Sequence, residues 1–342
     1  MPLLLVRMFR YEFWPFWLLH IPAYFYWAWL AIRSRSMLYF TAANPGIEMG
    51  GFFGESKTAI LKNIPEAFLP ASIYVDADQQ FADVLAAFAQ QQLQFPVICK
   101  PDQGERGFRV QKLYNAAELQ QYHEQAGGRF IIQEFVAYET ELGILYYRFP
   151  EGGSGISSVT TKVFLAVTGD GRSTVRELME QNVRARMRMT ELLQRLGQQA
   201  DTVLQNGERL LLEPIGNHCL GTMFCNGNHL ITPELVAVFD RIAAQMDGFY
   251  FGRFDVRVSS AAELQQGKNI RILEVNGTTS EPAHIYDPKM NLFKAWGAIL
   301  HNMQLVFRIA KQNRKRGIAV TPPRVFLQTV RAHFQNKKQH VH

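Results

Sequence analysis

Two stretches in the last third of the chain constrain it most: FYFGRFDVRVSS, residues 249–260, and IRILEVNGTTSEP, residues 270–282, joined by the polar linker AAELQQGKN. Both carry β-branched and aromatic residues at a spacing of two, which reads as strand. Successive strand side chains point to opposite faces, so Arg253, Asp255 and Arg257 share one side while Phe254, Val256 and Val258 take the other. Glu274 and Asn276 likewise share a face, opposite Leu273 and Val275. Paired as a hairpin, the strands bring together two carboxylates and a carboxamide oxygen. All-oxygen sets suit a hard cation such as Mg²⁺ held beside phosphate oxygens. An ordinary amphipathic hairpin with its charged face in water has the same pattern, and spacing alone leaves both readings open.

The chain has 342 residues, 47% hydrophobic and 19% charged, enough to bury a sizeable core and too apolar for a disordered protein. A net charge of +6 suits anionic ligands or lipid. No zinc-finger spacing and no aromatic–basic ribonucleoprotein motif accompanies it, so nucleic acid is not an expected partner. Three cysteines, Cys99, Cys219 and Cys225, fit a reducing compartment rather than a disulfide frame.

From Phe13 to Ile32 the chain carries no charge, in the run FWPFWLLHIPAYFYWAWLAI. A length of about 20 residues matches a membrane span. Pro15, His20 and Pro22 interrupt it, however, and Trp and Tyr prefer the headgroup interface. No small-residue cleavage site follows, which argues against a removable signal peptide. Arg7, Arg10, Arg33 and Arg35 flank it. The favoured expectation is a kinked helical segment lying in or dipping into the cytoplasmic leaflet. A true span and a buried aromatic helix stay open as alternatives.

Between Met37 and Asp78 the expected order is strand (MLYF), a loop with Gly46, Gly50, Gly51 and Gly54, helix (SKTAILKNI) and extended exit (FLPASIYV). The loop could cradle an anion or consist of simple turns. In FPVICKPDQGERGFRVQKL, Lys100 ends a strand ahead of Gly104 and Gly107, and a second strand follows. That arrangement can lay backbone N–H groups and an ammonium over a polyphosphate, or be a hairpin with a surface lysine. It is not the Walker A pattern, because the lysine precedes the glycines. FIIQEFV is an apolar strand, with Glu139 and Glu141 beyond it as candidate ligand contacts or solvated loop acids. TTKVFLAVTGDGRSTVREL reads as a strand with Lys162 near its start, a GDG turn, and a helix capped by Ser173.

In order along the chain stand Lys100 with a glycine loop, QEFV with an acid seven residues after Glu134, Lys162 ahead of GDGRST, then GRFDV and EVN. This ordered set resembles the ATP-grasp superfamily of carboxylate–amine ligases, over roughly Ser56 to Asp287. GRFDV with EVNGTTS is similar to D-alanine–D-alanine ligases, and VTGDGRSTVREL to cyanophycin-synthetase-type and glutamate-ligase-type members. The resemblance implies an α/β fold in which two α+β lobes clamp ATP between antiparallel sheets. It implies that Lys100 and Lys162 contact the phosphates and that the loop from Gly104 to Gly107 covers them. Glu134 and Val136 would meet adenine and Glu141 the ribose. Asp255, Glu274 and Asn276 would hold two Mg²⁺ ions, with Mn²⁺ an alternative and Glu274 bridging. Arg253 would stabilise the transition states, Ser280 would meet a substrate carboxylate, and Lys57 falls in the linker to the central domain. The implied reaction joins a carboxylate to an amine through an acyl phosphate, releasing ADP and phosphate. A non-amine acceptor and a catalytically silent ATP-binding membrane adaptor are the alternatives.

Four regions are therefore expected: a membrane-associated aromatic segment (1–36), a reduced region (37–95) where such ligases carry an N-terminal domain, the ATP-grasp domain (96–290), and an amphipathic helix with a basic tail (291–342). SEPAHIYDP offers Glu281, His284, Tyr286 and Asp287 either for substrate selection or as turn and packing residues. In the last region Leu292, Phe293, Trp296, Ile299, Leu300, Met303, Val306 and Phe307 form a stripe ahead of KQNRKRG. The stripe suits a core helix, and the basic run would meet water or lipid. The expected place is cytoplasmic, peripheral on the inner membrane face, with small or lipid-linked substrates and the oligomeric state left open.

Overall fold

The computed structural model describes residues 2–52, 55–104 and 107–339, with side chains up to Arg331. Gly54 and the tip of the loop between Gly104 and Gly107 lie outside them.

Strands β1 (Ser72–Val75), β2 (Val97–Pro101), β3 (Gln111–Leu113) and β4 (Phe130–Glu134) form an antiparallel sheet in the order β1-β4-β2-β3. Val75, Val97, Cys99, Leu113, Phe130 and Ile132 pack on one face against Val84, Leu119 and Tyr122 of helices Phe81–Gln90 and Ala116–Gln125. Asn115 starts the second of these helices by accepting from the Glu118 N–H at 2.9 Å. The next register position, Ile131, points the other way and joins Ile60, Leu61 and Ile64 in the larger core.

A second antiparallel sheet contains β5 (Thr140–Arg148), β6 (Ser154–Val163), β9 (Met223–Asn226), β10 (Phe251–Val258) and β11 (Ile270–Asn276), in the order β11-β10-β5-β6-β9. Between β6 and β9, β7 (Ala166–Thr168) pairs with β8 (Arg209–Leu211) beneath a small helical cap. One face of the large sheet buries Leu142, Ile144, Phe254, Val256 and Ile272 against helix Pro233–Ala244. Thr232 caps that helix and Pro233 occupies its first turn, as its missing N–H allows.

The opposite face is divided. Toward the start of β10, Phe251 and Leu145 of β5 pack under two helices, Ile21–Ser34 and Leu292–Lys315. Toward its end, Arg253, Asp255 and Arg257 occupy the same face. The aromatic N-terminal run is a broken helix over Leu3–Phe9, Phe16–Leu19 and Ile21–Ser34, interrupted at Pro15 and His20. Its inner side buries Leu19, Ala23, Leu30 and Ala31. Trp296 Nε1 donates to the Leu19 carbonyl at 2.8 Å, and the Tyr26 hydroxyl to Gln304 at 2.7 Å. Its outer side leaves Ile21, Phe25, Trp29 and Ile32 exposed. No helix among the described residues is long and apolar enough to cross a membrane.

Several local expectations are corrected. MLYF is not a strand: Tyr39–Ala42 is a 3₁₀ turn, with the Thr41 hydroxyl donating back to the Leu38 carbonyl at 2.8 Å. The supposed linker AAELQQ is a helix, Ala261–Gln266, capped by Ser260 and closed by left-handed Gly267. Thr174, not Ser173, caps Val175–Gln181, through a capping box with Glu177. Ser173 is instead held by Asp170 at 2.7 Å. Lys162 is the next-to-last residue of β6 rather than near a strand's start. Phe293, expected in the apolar stripe, is exposed, while Leu305 and Ile309 join the core beside Val306 and Phe307.

Candidate active site

The site begins on β10, whose neighbours supply the rest. Antiparallel pairing sets Asp255 opposite Glu274 and Arg253 opposite Asn276 on β11, and Asp255 opposite Gly143 on β5. Gly143 keeps the floor open, because a Cβ there would lie 3.2 Å from Arg253 Cδ and 3.3 Å from Asp255 Oδ1. Lys162 reaches over from β6 and lies 2.8 Å from Glu141 and 3.0 Å from Asp255. Arg257 takes the other Glu141 oxygen at 3.1 Å, and Arg253 pairs with Asp255 at 3.1 Å. Burial opposes charge on Asp255, but Arg253 and Lys162 outweigh it and hold the carboxyl below its usual range. Burial likewise opposes charge on Lys162, and Asp255 and Glu141 outweigh it and raise the ammonium's pKa. The floor is thus a chain of ion pairs that stays charged although largely dry.

The first sheet provides the roof. Lys100 on β2 is buried, and its Nζ donates to Gln133 on β4 at 3.1 Å and across to the Leu273 carbonyl of β11 at 2.8 Å. Burial pushes its pKa down to about 8, with Lys57 adding to the shift and Glu274 opposing it. Lys57 opens helix Lys57–Leu61, donates to the Gly104 carbonyl at 2.6 Å and lies 3.9 Å from Glu274. It ties the start of the glycine loop to the site. Gly104 and Gly107 both have positive φ and line the cavity.

Glu134 ends β4 at the cavity wall and accepts from the Ala71 N–H at 3.2 Å. The Val136 carbonyl accepts from Arg257 at 2.6 Å. Glu141 is no solvated loop acid, since both its oxygens are engaged with Lys162 and Arg257. Ser280 closes the turn after β11, donating to the Asn276 carbonyl at 2.6 Å and accepting from the Arg253 N–H at 3.1 Å. Gly51 and Gly277 meet at that turn so closely that a Cβ on Gly51 would come within 2.6 Å of Gly277 Cα. The described part of the glycine loop after Phe40 therefore packs on the end of β11.

All thirteen residues expected at the site line one cavity of about 1130 Å³. Three contributors, Arg257, Phe135 and His20, had no assigned role. Arg257 joins Glu141 to Val136, and Phe135 lies under two cations, Lys112 at 3.6 Å and Arg257 at 5.3 Å. His20 Nε2 lies 2.9 Å from Glu281 Oε1, and the other Glu281 oxygen accepts from Tyr286 at 2.8 Å. Arg257 was legible from its place on the Arg253–Asp255 face; His20 had no local signal. His284 and Asp287 act in packing, toward Ser158 at 2.5 Å and the Asn226 N–H at 2.7 Å.

Among the described residues, no group of three or more His, Cys, Asp or Glu side chains forms a metal cluster. The oxygen set is smaller: the Asp255 and Glu274 carboxylates and the Asn276 carboxamide, whose nitrogen lies 3.3 Å from Asp255 Oδ2. Donors of that kind fit a hard divalent cation shared with phosphate oxygens.

No protein-family model matches the chain, and no curated protein matches it in sequence. Among solved structures, a D-alanine–D-alanine ligase from Bacillus anthracis complexed with ATP aligns at TM-score 0.43 and 13% identity, over 77% of this chain and 68% of its own. A bifunctional glutathione synthetase from Pasteurella multocida aligns at TM-score 0.40 and 14% identity, over 72% of this chain and 36% of its own. A D-Ala:D-Ser ligase from Enterococcus faecalis aligns at TM-score 0.42 and 16% identity, over 75% and 61%. D-alanine–D-alanine ligases, named above from the motifs, are thus among the structures this chain is similar to.

Proposed function

We propose that the protein is an ATP-dependent ligase that joins a carboxylate to an amine and releases ADP and phosphate. The observation that carries this reading is the convergence of Lys100, Lys162 and Arg253 with Asp255, Glu274 and Asn276 on facing walls of one cavity between two antiparallel sheets. A carboxylate is a poor electrophile. Transfer of the γ-phosphoryl group to its oxygen gives an acyl phosphate, and attack by a neutral amine then expels phosphate and loses a proton. Such chemistry needs alignment and charge neutralisation more than a protein nucleophile. Lys100 and Lys162 would grip phosphate oxygens from roof and floor, and Arg253 would face the reacting acyl group. The Phe135 ring and the apolar side chains of Ile98, Val136 and Leu273 offer a slot for the base. Asp255, Glu274 and Asn276 would hold Mg²⁺, which supplies charge neutralisation at the phosphates.

The exposed apolar side of the N-terminal helix, with Arg7, Arg33 and Arg35 beside it, supports peripheral attachment to an anionic lipid surface. The test of the ligase reading is ADP and phosphate release with Mg²⁺ATP and pooled carboxylates and amines. Release that requires both pools is expected; release with the carboxylate pool alone would point to a non-amine acceptor. Binding of Mg²⁺ATP without turnover in any pool would leave a silent adaptor.

A further inference from the structure

The cavity does not stop at the polar network. Past Ser280 and Glu281 it continues between the N-terminal helix and helix Leu292–Lys315, where its walls are Ala23, Trp27, Phe40, Ile299, Met303 and Val306. Asn302 also lines this part, but its amide is spent on the wall itself, accepting from Ser157 at 2.7 Å and donating to the Ala298 carbonyl at 2.9 Å. What remains is an apolar, aromatic-sided channel. The whole cavity, about 1130 Å³, exceeds the roughly 300–1,000 Å³ typical of a single small-molecule site. At the junction stand Arg253, the His20–Glu281 pair and Tyr286, so polar chemistry changes to apolar wall at one point. His20 is pulled toward its charged form against burial by Glu281 and the Phe16 carbonyl, and Glu281 is held ionised against burial by His20, Tyr286 and Arg253. A channel of this make cannot reward a wholly polar substrate.

We infer that this channel binds the apolar portion of an amphiphilic substrate, an alkyl- or aryl-chain-bearing carboxylate or amine, whose polar end lies at Arg253 and the His20–Glu281 pair. The identity of that end as a reacting group rests on the ligase reading; the chain-binding channel does not. The aromatic N-terminal segment is then a wall of the substrate site as well as a candidate membrane contact. Saturated chains should gain roughly fourfold in affinity per methylene until the channel is full.

The test titrates the full-length protein, without ATP, with straight-chain carboxylates and alkylamines of eight to twelve or so carbons below their micellar concentrations, followed by calorimetry. The series keeps to chain lengths at which roughly one methylene separates neighbours. Expected is a steady tightening with length in one of the two series, which also identifies the substrate that carries the chain. Met303→Trp and Ala23→Trp should each weaken long-chain binding about tenfold or more while a fluorescent ATP analogue binds as before, and Phe25→Ser, on the outer helix face, should leave it unchanged. Should either channel variant unfold, the wild-type length series and the other variant still decide. No length dependence in either series, or a loss caused by Phe25→Ser alone, overturns the channel. ATP turnover with short polar acids alongside a flat length series would sink the channel and keep the ligase. Length-dependent binding with no turnover in any pool would do the reverse.

Discussion

The two ends of one face of β10 are built on opposite principles. Around Arg253, Asp255 and Arg257 the face is held by buried ion pairs. Two residues before Arg253, Phe251 is wholly buried under the helix pair with Leu30, Tyr39 and Phe307. Removing one partner from the first end leaves an uncompensated charge, whereas trimming the second leaves a hole. The first end is a charged wall, its carboxylates each flanked by two cations. The second can only exclude water and shape what lies beside it. One cavity spans both ends, and it is there that the proposed phosphoryl chemistry and the proposed apolar recognition would meet.

Asp255→Asn breaks the polar end most deeply. Lys162 and Arg253 both lose a buried partner, so the variant should lose turnover and about 3–5 kcal/mol of stability, read from urea unfolding. An unfolding midpoint equal to wild type would show that the ion pairs are not coupled to the fold. Glu274→Gln separates function from framework. Glu274 is more exposed, and its salt bridge among the described residues is a long one to Lys57 at 3.9 Å, so turnover should vanish with stability within about 0.5 kcal/mol of wild type. Near-normal kcat would remove Glu274 from the proposed metal set.

At the apolar end, Leu30→Ala should cost about 2–5 kcal/mol, because a fully buried leucine leaves a cavity. A loss below about 1 kcal/mol would mean the helix pair can close around the gap. Turnover of short polar substrates should change less than stability does.

Much of the polar end was legible. Period two put Arg253, Asp255 and Arg257 on one face and Glu274 with Asn276 on another, and pairing did the rest. What escaped depended on distant partners. Glu141 shows no local sign of its place between Lys162 and Arg257, the latter 116 positions away. The aromatic run is apolar on every side, so no periodicity tells which side packs; the answer sits in Trp296 and Gln304, more than 270 residues on. The helix Ala261–Gln266 was different. Ser260, Glu263 and Gly267 spell a start and a stop, and the polar composition between them masked the signal.

Lys100 gives a smaller, pH-dependent effect. Its folded pKa lies near 8, below the ordinary lysine value, so the unfolded chain binds more protons between about pH 8 and 10. Below about pH 8 the buried ammonium costs stability in full, and that cost shrinks as the pH climbs toward 10. The proposed phosphate grip runs the other way, since the neutral amine attracts no anion. KM for ATP should therefore rise above about pH 8 while the fold becomes no weaker, and Lys100→Arg should flatten the rise because a guanidinium stays charged. A wild-type KM flat from pH 7 to about 9 would remove Lys100 from the phosphate grip.

The smallest effect on stability should come from the outer side of the same helix that carries Leu30. Ile32 is 77% exposed and Leu30 0%, two positions apart, so their chemistry is alike and their surroundings opposite. Phe25→Ser with Ile32→Ser removes apolar surface that is mostly exposed, and unfolding should shift by less than about 0.5 kcal/mol. Binding to vesicles of mixed zwitterionic and anionic lipid should fall severalfold in the same double variant, measured by sedimentation. Arg33 stacks on Trp29 at 4.6 Å, which keeps a cation at the rim of the apolar patch. High salt should therefore weaken wild-type binding in part, leaving the apolar share, and detergent should abolish it. Vesicle binding untouched by the double variant would detach this helix face from the membrane and leave it as exposed surface, while the inner face, the channel and the ion-paired floor would stand as they are.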